Sequence, residues 1–307
     1  MSSVYGWIII ACSGCLLFCY FPIVLILKFD PEFRGNNAYV IMFQLGVLDC
    51  LQLCVHCFTG IVVVSEAKSL PYVVNKIIGA IFTGLWYSML FTLLFLHYNR
   101  FSSIVLQRVK FFSSKPVRVL WFLLCFLNFI IPTTLKSLPD NSYMFDPATI
   151  SWKRPSADNK MSEYTRFWGK IEIFAVVIFS IIGYSGIFLY MTVNHGKQAL
   201  RGKEWRITVQ ISGMVIYFLL ATFYWYYLTM LVTINPLIYN FFSAVVWIFM
   251  NGIQPVVYLV FNQRLRSSFI HFFTHFSPRG EAQWRSSVSQ IRPNKARSSM
   301  STSYNVQ

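Results

Sequence analysis

The stretch between Arg206 and Arg264 contains no Asp, Glu, Lys or Arg over about 57 residues. A helix needs about 20 apolar residues to cross a membrane, and lipid tolerates helices because they satisfy their own backbone hydrogen bonds. The stretch is therefore long enough for two crossings. The whole chain agrees, because 56% of its 307 residues are hydrophobic, 12% are charged and its mean hydropathy is +0.53, whereas a soluble domain carries about 25% charged residues. This excludes a single soluble core and predicts an all-α membrane protein.

Hydropathy predicts seven membrane spans, with no periodic repeat and no second folded domain. The expected bounds are roughly Tyr5–Leu27, Tyr39–Val64, Ile77–Phe101, Val119–Leu135, Ile171–Val193, Ile207–Thr233 and Tyr239–Phe261. We expect residues 1–276 to form a seven-transmembrane helix bundle with a surface helix after the seventh span. The polar, Ser- and Arg-rich stretch 277–307 is expected to be a disordered cytoplasmic tail. Phosphorylation there would regulate signalling through its charge, and a merely solvated tail is the alternative.

Lysine and arginine counts in the loops predict the orientation of the bundle. Eighteen lie on the side that includes the loop 194–206 and the carboxyl end, and eight lie on the other side. The positive-inside rule therefore places the carboxyl end in the cytoplasm and the amino end outside. The net charge of +15 needs no nucleic-acid partner, because this bias and the attraction of basic segments to anionic membrane lipids account for most of it.

The end of the seventh span indicates a bent helix followed by a helix on the membrane surface. Pro255, within Gln-Pro-Val-Val-Tyr at 254–258, frees a backbone carbonyl and allows a bend. Arg264 and Arg266 follow, and then apolar residues recur at helical spacing with polar residues between them, which is typical of an amphipathic surface helix. These apolar residues are Leu265, Phe269, Phe272, Phe273 and Phe276.

Asp49 is an acidic residue in the middle of the second predicted span. A carboxylate at that depth is costly unless it is paired, hydrated or protonated, so a functional role is the prediction. A structural hydrogen bond to another helix is the alternative. Asn251 and Gln254 on the seventh span are the expected partners, and Gly46 would let a neighbouring helix approach closely.

The third predicted span ends in His-Tyr-Asn-Arg-Phe at 97–101, which places Arg100 at the cytoplasmic mouth of the bundle. An arginine there can pair with an acid or extend to the interface, and an ordinary positive-inside arginine is the alternative. Glu204, at the base of the sixth span, lies on the same predicted side. We hypothesise that Arg100 and Glu204 form an ion pair in a resting state.

Three of these features, taken in order, resemble rhodopsin-like seven-helix receptors: Leu-Gly-x-x-Asp in the second span, Asn-Arg-Phe closing the third, and Gln-Pro-Val-Val-Tyr in the seventh. In detail the chain resembles the nematode serpentine chemoreceptors, most nearly class T (Srt), with classes X and W as further possible relatives. The resemblance covers residues 5–276. It rests on LGVLDCLQLCVHCFTGI (45–61), LLFLHYNRF (93–101) and NGIQPVVYLVFNQRLR (251–266).

The resemblance implies a G-protein-coupled chemosensory receptor in the plasma membrane, sensory cilia included. It would bind a small odorant-like ligand and signal to a heterotrimeric G protein. The residues expected to carry the signal are Asp49, Asn99, Arg100, Glu204, Asn251, Gln254, Pro255 and Tyr258.

The chain departs from the wider receptor pattern at three positions within the spans. Asn99 replaces the acid that usually precedes the third-span arginine, and Gln254 replaces the Asn before the seventh-span proline. Met89 stands where many relatives have a serine that helps hold sodium near the position of Asp49, which weakens the case for a sodium site there.

Two further departures concern the outer side. All seven cysteines fall inside predicted spans, so the disulfide from the third span to the outer loop cannot form, and no metal or redox role is expected for them. Asn-Pro-Leu-Ile-Tyr at 235–239 matches the receptor motif better by letters than Gln254 to Tyr258 does. It lies a membrane thickness away from Arg264 at about 1.5 Å per residue, so we interpret it as an outer turn.

The ligand site should lie in the outer half of the bundle and be built from aromatic side chains, which offer apolar area with a polar tip. Most aromatic residues of such a chain pack between helices or sit at the interface, so each position stays a hypothesis. The candidates are Trp86, Tyr87, Tyr224, Trp225, Tyr227 and Trp247.

Other function classes find little support in the sequence. His271 and His275 lie one helical turn apart, but without a third ligand we interpret them as the polar face of the surface helix. No catalytic or phosphate-binding motif appears, so we predict no enzyme activity, no cofactor and no metal site. A small transporter or channel is the main alternative. Transporters tend to carry broken helices and ionisable residues in corresponding halves, and no such pairing is visible here.

Overall fold

The structure is a computed structural model, and it describes residues 2–34, 37–66, 69–106, 115–138, 141–153, 160–199, 203–228, 231 and 234–275. Within these residues the chain forms seven long helices, a two-stranded hairpin and a shorter helix after the seventh. We call the long helices the first to the seventh span, in chain order. Phe276 of the expected surface helix and the expected tail 277–307 lie outside the described residues.

The spans agree in number and order with the sequence prediction. They are Ser2–Phe29, Asn37–Val64, Tyr72–Ile104, Lys115–Lys136, Lys160–Ala199, Lys203–Phe223 and Pro236–Phe261, and the surface helix is Gln263–His275. A four-residue helix, Pro31–Arg34, follows the first span. Every span except the sixth is long and apolar enough over its described residues to cross a membrane, and the sixth contributes a shorter apolar helical stretch, Ser212–Leu228.

Two spans, the fifth and the sixth, differ from their predicted bounds by more than five residues at one end or both. The fifth begins at Lys160 instead of Ile171, because its first turns are polar and hydropathy cannot mark such a start. Glu163 lies in its first turn, where a negative charge is favourable next to the positive end of the helix dipole. The α-helix of the sixth span ends at Phe223, and Tyr224–Leu228 form a π-helical turn. A π turn holds an extra residue, so side chains in it point elsewhere than in a regular helix.

Glycines bring the first two spans together. A Cβ atom at Gly60 would lie 2.7 Å from Cγ1 of Ile10, and one at Gly46 would lie 2.8 Å from Cγ2 of Val24. Distances this short leave no room for a side chain, so the helices approach each other closely, as small residues permit in membrane bundles. Gly46 therefore has the role that the sequence predicted, and it also places the ring of Tyr20 against the second span.

The hairpin consists of strands Met144–Asp146 and Ser151–Lys153, which pair antiparallel with Phe145 opposite Trp152. Along the chain it lies between the fourth and fifth spans, and in space it packs against the beginning of the third. We call this end of the bundle the hairpin end. Asn235 and Pro236 begin the seventh span at the same end, and Oδ1 of Asn235 accepts a hydrogen bond from the Leu237 N–H at 2.9 Å. The Asn-Pro stretch therefore begins the seventh span instead of forming a separate outer turn, and it lies at the opposite end of this span from Arg264.

The surface helix lies at the opposite end, which we call the surface-helix end. Asn262 separates it from the seventh span with an extended backbone (φ −101°, ψ 95°), and its side chain accepts a hydrogen bond from the Leu265 N–H at 3.2 Å. Leu265 is fully buried. Ser268 donates to Asp30, which follows the first span, at 3.2 Å. The apolar face of the surface helix is therefore packed against the bundle.

Candidate functional site

A cavity of about 490 Å³ lies at the hairpin end, and all seven spans and the hairpin contribute to its lining. Its volume is in the range of sites that hold one small molecule, about 300–1,000 Å³. Of the candidate ligand residues, Trp86, Tyr87, Trp225 and Trp247 line it. The structure therefore brings four of the six sequence candidates to one place.

Trp247 of the seventh span lies at the centre of an aromatic cluster in the cavity wall. Its ring stacks on Phe82 at 4.5 Å between centroids, and it meets Trp86 edge to face at 4.9 Å. Trp225 and His56 also approach it edge to face, at 5.9 and 5.6 Å. These are the favourable geometries for aromatic pairs. The cluster therefore forms a preorganised apolar surface, to which the second, third, sixth and seventh spans contribute side chains.

The other two candidates on the sixth span do not line the cavity. Tyr224 stacks on Tyr239 at 5.3 Å and donates a hydrogen bond to its carbonyl, which ties the sixth span to the seventh. Tyr227 is exposed on the outside of the bundle. Tyr226, which the sequence analysis did not select, lines the cavity instead. The π turn explains this difference, because helical spacing of 3.6 residues does not hold across it.

A pair of hydrogen bonds holds the hairpin to the third span. The side-chain amide of Asn75 donates to the Phe145 carbonyl and accepts from the Phe145 N–H, both at 2.8 Å. Gly79, one turn further along, lets the hairpin backbone lie directly on the helix, because a Cβ there would be 1.6 Å from the Tyr143 carbonyl oxygen. We call Asn75 and Gly79 the hairpin clasp. It joins the same two elements that a disulfide joins in the wider receptor pattern.

Further contacts fix the hairpin over the cavity. Asn240 of the seventh span donates to the Thr149 carbonyl at 3.0 Å. Asp146 forms an ion pair with Lys153 across the two strands. Burial acts to raise the pKa of the Asp146 carboxyl, but hydrogen bonds from Lys153, Thr149 and the Ala148 N–H, together with the Lys153 charge, more than offset this and leave the pKa below its ordinary value.

Towards the middle of the bundle, a buried polar chain begins at the cavity wall. The indole N–H of Trp247 donates to Oε1 of Gln52 at 3.1 Å. Asp49 lies one turn from Gln52 on the second span and is 1% exposed. Its Oδ2 accepts a hydrogen bond from the Tyr20 hydroxyl at 3.0 Å. That hydroxyl also lies 3.3 Å from Oε1 of Gln254.

The chain continues along the seventh span. The Tyr258 hydroxyl donates to the same Gln254 oxygen at 3.0 Å, and Tyr258 is fully buried. Pro255 lies between them, buried, and the helix continues past it to Phe261. Residues of the first, second and seventh spans thus meet at one depth. We use the name buried polar chain for Gln52, Asp49, Tyr20, Gln254 and Tyr258. Gln52 is one turn from Asp49 but makes no described hydrogen bond to it.

The expected partners of Asp49 need one correction. Gln254 reaches Asp49 only through Tyr20, and Asn251 makes no side-chain hydrogen bond to any residue that the structure describes. Tyr20, the direct partner, was missed because a tyrosine in an apolar span is most simply interpreted as packing. The available signal was Gly46, one turn before Asp49, which marks where the first span comes nearest.

At the surface-helix end, the third span is anchored to the fifth. The Ser180 hydroxyl lies 2.7 Å from Nδ1 of His97, and the His97 ring meets Tyr184 edge to face at 5.3 Å. Asn99 and Arg100 are both buried here. Glu204 belongs to the first turn of the sixth span, but its side chain lies outside the described part of the chain, so its pairing with Arg100 stays a prediction.

Seven spans around a cavity at one end, a buried polar chain in the middle and a surface helix at the other end define a seven-helix membrane fold. The crystal structure of squid rhodopsin is similar, with a TM-score of 0.68 and 15% sequence identity over 87% of this chain and 80% of that chain. The model of the family "Serpentine type 7TM GPCR chemoreceptor Srt" matches residues 1–281. The chain belongs to this family. A comparison with curated proteins gave no match.

Family and fold together establish the general class. The protein is a membrane-embedded chemoreceptor of the G-protein-coupled type, and its family is one of receptors, not of enzymes.

Proposed function

We propose that this chemoreceptor binds a small odorant-like molecule in the cavity at the hairpin end and signals to a heterotrimeric G protein at the surface-helix end. The hairpin end would face outward and the surface helix would lie in the cytoplasm, as the lysine and arginine bias of the loops favours. The plasma membrane, including that of sensory cilia, is the proposed location.

One observation carries this proposal: Trp247 lines the cavity and also hydrogen-bonds to the first residue of the buried polar chain, Gln52. The ring of Trp247 lines the cavity, while its indole N–H donates to Gln52, one turn from Asp49. A ligand that moves this ring changes a hydrogen bond in the middle of the bundle. Polar side chains at this depth are costly and mark functional sites, so the contact is a physical route from ligand to helix packing.

Signalling then follows as a shift between two arrangements of the spans. Ligand favours the arrangement in which the sixth span moves outward at the surface-helix end, and it can shift the equilibrium only by its difference in affinity for the two. Arg100 is buried at the surface-helix end of the third span. An outward movement of the sixth span would open a crevice beside Arg100 to which a G protein binds.

A change of one hydrogen-bonding group tests this route. Trp247→Phe keeps an aromatic ring in the cavity wall but removes the donor to Gln52. Ligand should still bind within a few-fold of the wild-type affinity, while the maximal rate of ligand-driven nucleotide exchange on a co-expressed G protein should fall. Trp225→Phe is the matched control, because it shrinks the same wall and leaves that hydrogen bond intact. Equal maximal responses in both variants would contradict the route.

The ligand itself is to be found by a reporter-coupled screen of small volatile and water-soluble compounds, with Asp49→Asn and Arg100→Ala as variants expected to signal less. Glu204→Ala should change basal signalling or ligand potency, and if it changes neither, the resting ion pair with Arg100 does not exist. Substrate flux in reconstituted vesicles without any G protein would favour a transporter over a receptor.

A further inference from the structure

We propose that the ligand of this cavity carries an acidic group, such as a carboxylate or a sulfate, on an apolar body. The inference rests on the proposed function in one respect, namely that the cavity is the ligand site. It concerns the chemistry of the ligand, which neither the family nor the fold specifies.

Charge in the cavity has one sign. The lining includes Lys136, Arg166 and Lys170, and none of the described lining residues is an Asp or a Glu. Arg166 and Lys170 lie one turn apart on the fifth span, and Lys136 is the last residue of the fourth span. Three cationic side chains that share one partly enclosed space raise its positive potential, and such a space concentrates anions.

Lys136 is enclosed rather than extended into solvent, with 5% of its surface exposed. Its ammonium group donates to Oδ1 of Asn141 at 2.8 Å and to the Thr165 hydroxyl at 3.0 Å. These hydrogen bonds hold the ammonium group at the cavity wall.

Arg166 offers the better matched group. Its Nε is buried and makes no hydrogen bond to a residue that the structure describes. The guanidinium group presents several N–H donors in a plane, which suits the two oxygens of a carboxylate or a sulfate. A buried donor without an acceptor is unfavourable, and a ligand oxygen would remove that penalty.

Two acids in the described part of the fifth span and the hairpin make their contacts elsewhere. Glu172 of the fifth span accepts a hydrogen bond from the Trp168 indole at 2.8 Å and forms no described ion pair with Arg166 or Lys170. Asp146 of the hairpin is paired with Lys153. Within the described residues, no acid of the fifth span or the hairpin therefore competes with a ligand for Arg166 and Lys170.

The rest of the cavity favours an apolar body. Trp86, Trp152, Trp225 and Trp247 line it. A second cavity of about 500 Å³ lies between the fourth and fifth spans, is lined mostly by apolar side chains, and shares Tyr87, Lys136 and Thr165 with the first. An acid with a hydrocarbon or aryl portion can thus place its charge at the cations and its apolar part against the tryptophan rings or in the second cavity.

Binding can be measured without any G protein. The purified receptor in neutral phosphatidylcholine nanodiscs is titrated with octanoate, phenylacetate and decyl sulfate while its tryptophan fluorescence is followed. Methyl octanoate and octylamine serve as probes of similar length without the negative charge. We expect the acids to bind at least tenfold more tightly than these two. Equal or tighter binding of the ester or the amine, or no binding of any acid, overturns the inference.

Variants locate the anion. Arg166→Gln should weaken acid binding about ten- to hundredfold, the range expected for a lost hydrogen bond to a charged group. Arg166→Lys keeps the charge and shows whether weaker binding results from misfolding. Its affinity for acids should lie between those of the wild type and Arg166→Gln. Lys160→Gln, an exposed change on the same span, is the control and should leave affinity unchanged. If Arg166→Gln and Arg166→Lys both bind acids like the wild type, the anion does not bind here.

Two further experiments are needed. The first distinguishes a free acid from a lipid headgroup, and the second tests this inference separately from the proposed function. If phosphatidylserine in the nanodiscs displaces the acids through Arg166, the cluster is a lipid headgroup site and the proposal fails. Acid binding without nucleotide exchange on any G protein would overturn the proposed function and keep this inference. Nucleotide exchange that is driven by a neutral compound and is unchanged by Arg166→Gln would overturn this inference and keep the proposed function.

Discussion

The hairpin clasp allows a prediction that needs no ligand. Asn75 is buried and makes two hydrogen bonds of 2.8 Å to the backbone of Phe145, which is itself buried. Asn75→Leu keeps a side chain of similar shape but removes both partners. Leaving a buried donor or acceptor without a hydrogen-bond partner costs about 1–3 kcal/mol for each group. Because water can reach a loop at the membrane surface when it loosens, we take a total of about 2–3 kcal/mol from these ranges.

That free energy predicts how often the hairpin opens. With a factor of ten for about 1.4 kcal/mol, the open population should rise about 30- to 150-fold. Hydrogen exchange measures this population directly, so the amides of residues 141–153 should exchange faster by the same factor in nanodiscs. Asn75→Asp keeps the acceptor for the Phe145 N–H and loses the donor, so it should lie between.

Two comparisons make the result decisive. Asn194→Leu changes an exposed asparagine at the other end of the bundle, whose amide bonds only to its own helix, and it should leave hairpin exchange unchanged. A reducing agent should also have no effect, because the outer loops contain no cysteine. If Asn75→Leu exchanges like the wild type, the clasp does not hold the hairpin.

Three more changes follow from the same structure. Gly79→Ala should displace the hairpin and speed the same amide exchange, because the new Cβ would lie 1.6 Å from the Tyr143 carbonyl oxygen, whereas Gly183→Ala, which meets nothing within 4 Å, should not. The lowered pKa of Asp146 means that its contribution to hairpin stability is present above the ordinary value of 3.8 and is lost as the pH falls through the folded-state pKa; exchange corrected for its intrinsic pH dependence should therefore be constant from about pH 5 upward and rise in acid, and an unchanged corrected rate at low pH would contradict the ion pair. Tyr20→Phe should lower the thermal midpoint of the purified receptor, since an intramolecular hydrogen bond contributes about 0.5–1.5 kcal/mol, and the same change should cost clearly less in an Asp49→Leu background, so that strictly additive effects would refute the contact.

The fold was predictable from the sequence because lipid constrains it so strongly. Long uncharged runs can form few structures in a membrane, and the break near Arg264 follows from polarity. The seventh span begins three residues earlier than predicted, at Pro236, with Asn235 as its cap. The bounds failed where hydropathy carries no information. The polar first turns of the fifth span resemble a loop in hydropathy. Nothing in the local sequence at 224–228 indicates a π turn.

The site was predictable in part for a related reason. Trp86, Trp225 and Trp247 could be proposed because aromatic residues near the outer ends of spans suit a small-molecule cavity. Asn75 could not, since it contacts a hairpin 70 residues away in the chain and nothing local marks it. Tyr20 shows the same limit: the contact with Asp49 depends on how closely the first two helices pack, which a sequence states only indirectly through Gly46.

The account rests most directly on a seven-span bundle whose hairpin end faces outward. Epitope tags at the amino and carboxyl termini of the full chain, and a third inserted between Thr149 and Ile150 at the turn of the hairpin, can be probed with antibody before and after permeabilising the cell. The amino-terminal and hairpin tags should be labelled on intact cells, and the carboxyl-terminal tag only after permeabilisation. Labelling of both termini on the same face, or of the hairpin tag only after permeabilisation, would contradict the account.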